Sequence, residues 1–158
     1  MIRAVLCRGI LKYVALMVLL AGVARAESLL VGEAALADWG FRVSERVSYS
    51  AFYCNDGTEP ETTTYQGIRS IAPDSALANR YRRFTLAREA YASEEQAARR
   101  LRDIQLPENR NSKQEKLCDM RKGFRQGSRV YFVHTDVSAF VSALPGLLEK
   151  LEQKVAER

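Results

Sequence analysis

The sequence predicts an α+β domain: a mainly antiparallel sheet of about four strands with helices packed on one face, a two-layer sandwich. Three observations carry this. Apolar and polar residues alternate over Phe41–Cys54 and Arg80–Ala90, the period of half-buried strands, and Thr62–Ile71 between them is rich in β-branched residues. A capping box, Ser93-Glu-Glu-Gln96, opens a run that places Ala97, Leu101 and Ile104 on one helical face. A second stripe of Phe140, Leu144, Leu147, Leu148, Leu151 and Val155 closes the chain.

Residues 1–26 precede this domain. Arg3, Arg8 and Lys12 lead into an apolar run from Tyr13 to Val23, and the small-x-small triplet Ala24-Arg25-Ala26 follows. The run has the length of a signal-peptide core and falls well short of the ~20 residues that a membrane-spanning helix needs. A cleaved secretory signal peptide over 1–26 is therefore expected, with a single domain over 27–158 exported to a bacterial periplasm. No second long apolar run follows, so no integral membrane anchor is expected after cleavage. Cys7 leaves with the peptide, and Cys54 and Cys118 remain as one pair in an oxidising compartment. Neither stands in a C-x-x-C motif, so the expected bond is a structural disulfide, which in the chain-entropy account stabilises by roughly 4 kcal/mol.

Within the domain, Ser28–Gly40 reads as a short helix stopped by its glycine. Phe41–Cys54 is the first strand, with Val43, Val47, Tyr49, Ala51 and Tyr53 sharing a face. The turn cluster Asn55–Pro60 returns the chain into a β-branched second strand, Thr62–Ile71. Pro73–Asn79 forms a single helical turn. Arg80–Ala90 is the third strand, with Phe84 and Leu86 facing the core, and the helix that starts at Ser93 stops at Pro107. Glu108–Glu115 is a polar loop without period, and Arg121–Gly127 a basic turn. Arg129–Thr135 is the fourth strand; its near-continuous apolar run suits a central position. Asp136 is the expected N-cap of a final helical region that Pro145-Gly146 kinks or divides.

Charge is the clearest pointer to function. The whole chain carries +5, but residues 27–158 carry only +1, because the first 26 residues hold four cations and no acid. Net charge thus offers no argument for nucleic acid as a partner, and none is expected. The distribution is uneven: residues 27–79 carry −5, residues 80–129 carry +7 and residues 130–158 carry −1. Arginine outnumbers lysine eleven to three in the middle segment, which suits bidentate capture of carboxylate or phosphate. The candidate binding residues are Arg80, Arg82, Arg83, Arg121, Lys122 and Arg125. The alternative is internal neutralisation of the +7 segment by the −5 segment.

Catalytic patterns are weak. His134 is the only histidine, with Asp136 two residues on, but no serine stands in a G-x-S-x-G elbow. Glu45, Asp56, Glu59 and Glu61 gather around the first hairpin without the separation across a cleft that glycoside cleavage uses. There is no H-E-x-x-H, EF-hand or cysteine array, so no metal and no cofactor is expected. Phe84, Tyr91, Ser93, Ala97 and Leu101 together resemble the strand-to-helix start of SPOR domains, which bind denuded glycan strands of peptidoglycan. The likeness is confined to that stretch, and the order of the other elements differs. The expected function is non-catalytic binding of an anionic envelope component or a partner protein through the arginine-rich face. An inhibitor or immunity-type protein against a toxin or cell-wall enzyme is the alternative, and a small hydrolase using His134 a third reading.

Overall fold

The computed structural model describes residues 29–48, 59–77, 79–105 and 120–158. Residues 1–26, expected as a signal peptide, lie outside the described residues, as do Cys54, Cys118, Tyr49, Tyr53 and the expected polar loop 108–115. Helix α1 (Glu33–Asp38) is followed by strands β1 (Phe41–Ser44), β2 (Thr62–Ser70) and β3 (Arg83–Ala90), helix α2 (Glu94–Gln105), strands β4 (Arg121–Gln126) and β5 (Arg129–His134), and helix α3 (Leu144–Ala156). Every neighbouring strand pair is antiparallel, in the order β1-β2-β3-β5-β4.

The α+β class and the antiparallel sheet are those the sequence predicts, with two differences of detail. The sheet has five strands because Arg121–Gln126, expected as a turn, is strand β4 at the sheet edge. Phe124 is its one large apolar residue, and charge is common on an edge strand because it deters pairing with other chains. Gly127, at φ 58°, supplies the tight turn into β5. The helices also divide between the two faces. On one face Ile68, Phe84, Leu86, Tyr131 and Val133 pack with Leu36 of α1 and with Leu144, Leu147, Leu151 and Val155 of α3. On the other, Ala87, Val130 and Phe132 meet Ala97, Leu101 and Ile104 of α2. Strand β5 contributes to both clusters, which is why its sequence is apolar without alternation.

Local signals explain most boundaries. Gly40, at φ 82°, ends α1, and Ser93 Oγ accepts from Gln96 N–H at the start of α2. A 3₁₀ turn (Ser138–Ala143) precedes α3, and Pro145 sits in the first turn of α3, where its missing N–H leaves no bond unmade. The expected division near Pro145-Gly146 therefore falls at Leu144. Asp136 is not a cap: Val137 holds the N-cap position of the 3₁₀ turn, without a side-chain bond. The first strand ends at Ser44 instead of continuing through Val47, because the chain leaves the ladder there and crosses the sheet. No helix among the described residues is long and apolar enough to cross a membrane.

Candidate functional site: an arginine-lined cavity

A cavity of about 1180 Å³ opens at the end of the sheet where β3 begins and β5 ends. Three stretches of chain build it. The floor is the start of β3, Arg83–Thr85, with Arg80 and Tyr81 just before it. One wall is Glu45–Ser48, and the other is Asp136, Val137 and Phe140.

Each stretch is fixed by specific bonds. The Glu45–Ser48 wall crosses over β2 and is pinned to β3 by Ser48 N–H donating to Thr85 Oγ1 at 2.9 Å. Gly67 makes the crossing feasible: a Cβ there would collide with the carbonyl oxygens of Arg46 and Ser44. The connection carrying Arg80 is tied at its base, where Arg82 N–H donates to Ser70 Oγ and Arg82 Nε to Asp74 Oδ2 at 2.6 Å. Asn79 turns it at φ 59°, and Asp74 N–H donates to the Arg80 carbonyl. The Arg69 guanidinium lies 5.0 Å from the centroid of the Tyr81 ring and holds it at the cavity. The Asp136 wall is anchored through Thr135, whose hydroxyl donates to the Arg83 carbonyl and accepts from Val137 N–H.

The six arginine-rich-face residues do not share one surface. Arg80 and Arg83 line the cavity, joined by Arg46. Arg82 is turned to Asp74 in an ion pair. Arg125 reaches Glu94 Oε2 at 3.2 Å and the Gly127 carbonyl at 2.8 Å, at the opposite end of β4. Lys122 is exposed, and its register partner Val133 places it on the face that α3 covers. Arg121 is buried, its guanidinium 5.1 Å from the Phe132 ring centroid. Internal neutralisation thus occurs at particular arginines and not at others. Among the described residues, no ion pair involves Arg46, Arg80, Arg83, Glu45 or Asp136.

A separate charged cluster lies beneath α2. Arg100 donates to Glu89 through Nε at 2.7 Å and Nη2 at 3.1 Å, and the Tyr91 and Tyr65 hydroxyls donate to the same carboxylate. Tyr65 is pushed up to about 12 by burial and by the nearby Glu89 carboxylate, so it remains a donor across the physiological range. Such a bidentate, fully bonded carboxylate is the arrangement in which a buried ion pair is tolerated.

His134 is fully buried, directly opposite Arg121 on β4 and Thr85 on β3. Burial, and then the Arg121 charge, push its pKa down to about 3, against a raising bond with the Met120 backbone. A base that weak takes up a proton poorly near neutral pH, and His134 is not among the residues lining the cavity.

Of the cavity residues, Glu45 and Asp136 carry a sequence signal only as catalytic candidates, and Arg46 and Tyr81 carry none as site residues. Gly67, a lone glycine inside a β-branched strand, was the one available signal that another stretch of backbone passes close by. Comparisons with protein-family models, curated proteins and solved structures find no match to this chain.

Proposed function

We propose that the chain is an exported, non-catalytic binding protein of the bacterial envelope that holds an anionic envelope component through Arg46, Arg80 and Arg83. The observation that carries this reading is the division among the arginines. Arg82, Arg100 and Arg125 are committed to carboxylates of the protein, whereas the three at the cavity are in no ion pair among the described residues. Charge-assisted bonds from such guanidiniums to a ligand carboxylate or phosphate contribute roughly 1.5–3 kcal/mol each.

Export and a Cys54–Cys118 disulfide belong to the same proposal. Support for export is the basic, apolar, small-x-small order of residues 1–26. The disulfide draws support from the anchor points of its two segments. Ser48 is pinned over Thr85, and Thr135 N–H donates to the Met120 carbonyl two strands away, a separation of about 10 Å across the sheet. The six residues from Ser48 to Cys54 extend up to about 20 Å, enough to close that distance.

The test uses protein recovered from the periplasm of cells making the full chain. It is titrated with lipopolysaccharide and with soluble peptidoglycan fragments at several salt concentrations. Binding that weakens with salt, and falls at least tenfold in Arg80→Gln and Arg83→Gln but not in Arg82→Gln or Arg125→Gln, is expected. Equal losses at all four positions, or a stoichiometric protein partner retained by Arg83→Gln, would overturn the reading; the second result favours the inhibitor function.

A further inference from the structure

We infer that the ligand is a short zwitterionic peptide, one that carries free ammonium groups as well as carboxylates; this rests on the reading of the cavity as an anion site. The acids of the cavity carry the inference. Glu45 lines one wall and Asp136 the other, and Arg83 lies on the floor between them. Arg46 and Arg80 complete a lining of three cations and two acids. None of the five is in an ion pair among the described residues. Exposure does not account for this, because Arg82, with 47% of its side chain exposed, still pairs with Asp74. Both acid-bearing walls are instead bonded to the floor strand. Ser48 N–H donates to Thr85 Oγ1, and the Thr135 hydroxyl, next to Asp136, donates to the Arg83 carbonyl.

A purely anionic ligand meets two carboxylates as it reaches the arginines, and nearby like charges oppose its binding. A ligand of both signs makes partners of the same two groups, with its carboxylates on the floor and its ammonium groups toward the walls. Apolar surface shares the cavity with these charges. Phe84 and Phe140 line it with ring centroids 6.0 Å apart, and Val137 is 37% exposed there. Such a mixture suits aliphatic carbon set between charged groups, as a peptide provides. A phosphoethanolamine headgroup brings one charge of each sign, too few for three cations and two acids. The cavity, about 1180 Å³, also has room for more than a drug-sized molecule.

The experiment titrates the protein by calorimetry with the tripeptide Ala-γ-Glu-diaminopimelate, which has three carboxylates and two ammonium groups. The same peptide with both amines acetylated, lipopolysaccharide and phosphatidylethanolamine vesicles are run beside it. The free peptide should bind at least tenfold more tightly than the acetylated one, although the latter is the more negatively charged. Glu45→Gln combined with Asp136→Asn should weaken the free peptide at least tenfold and abolish that preference; circular dichroism checks that the variant is folded. Equal or tighter binding of the acetylated peptide or of vesicles would overturn the peptide assignment. So would a free peptide that the double variant binds as well as, or better than, the parent chain does. If Arg83→Gln still weakens the acetylated peptide or lipopolysaccharide in that case, the cavity reading survives. Failure of every probe to bind removes both.

Discussion

At the scale of single residues, the same side-chain chemistry is put to two uses. Arg100 is buried and donates twice to Glu89, whereas Arg42 and Arg83 stand at the surface beside another arginine. Opposite consequences follow for stability. Arg100→Ala leaves a buried carboxylate without its cation and should cost about 3–5 kcal/mol, read from urea midpoints at constant m. Arg83→Gln relieves a like-charge cross-strand pair and should raise the melting temperature by about 1–3 °C even as the expected binding weakens. A fall in stability at Arg83 would mean that the pair is held by attractions the structure does not contain. His134 contributes to the acid limb. Its folded pKa of about 3 lies below the ordinary value near 6.5, so the unfolded chain binds the extra proton first. Its contribution is complete above about pH 6.5 and is lost as pH falls toward 3, by up to roughly 1.4 kcal/mol per pH unit. His134→Gln should flatten that part of the stability–pH curve relative to the parent chain.

At the scale of elements, the decisive feature is the crossing of Glu45–Ser48 over β2. It makes one wall of the cavity at the end of the sheet, and it depends on a glycine. Gly67→Ala forces backbone against backbone, so a cost of about 1–3 kcal/mol and displacement of the wall are expected. Binding should fall with it although no arginine is touched; full retention of affinity would show that the wall is dispensable. The elements legible in the sequence were those marked by an apolar period (β3, α2 and α3), by β-branched content (β2) or by a continuous apolar run (β5). What it missed follows from physics that is not local. Strand β4 is an edge strand in which Lys122 and Arg125 are exposed, so little apolar alternation marks it. Strand β1 was drawn too long because Val47 keeps the period after the chain has left the ladder.

At the scale of the whole molecule, the sheet is covered on both faces, with α1 and α3 on one and α2 on the other. Two small cores on one sheet leave its end, where β3 begins and β5 stops, as the place where loops from three parts of the chain converge. That convergence is why the site was only partly legible. Arg80 and Arg83 lie close together in sequence and their surplus charge marks them. Arg46 and Arg69 belong to a segment with net charge −5; the crossing over β2 brings Arg46 to the cavity, and strand register sets Arg69 opposite Arg83. Among the described residues, no group of three or more potential ligands is placed to hold a metal.

The most direct measurement follows arginine Nε–H resonances in the ¹⁵N-labelled protein during titration with soluble peptidoglycan fragments. The account predicts saturable shifts at Arg46, Arg80 and Arg83, with Arg82, Arg100 and Arg125 unmoved. Shifts centred on Arg125 and the β4 edge, or small unsaturating shifts at every exposed arginine alike, would contradict it.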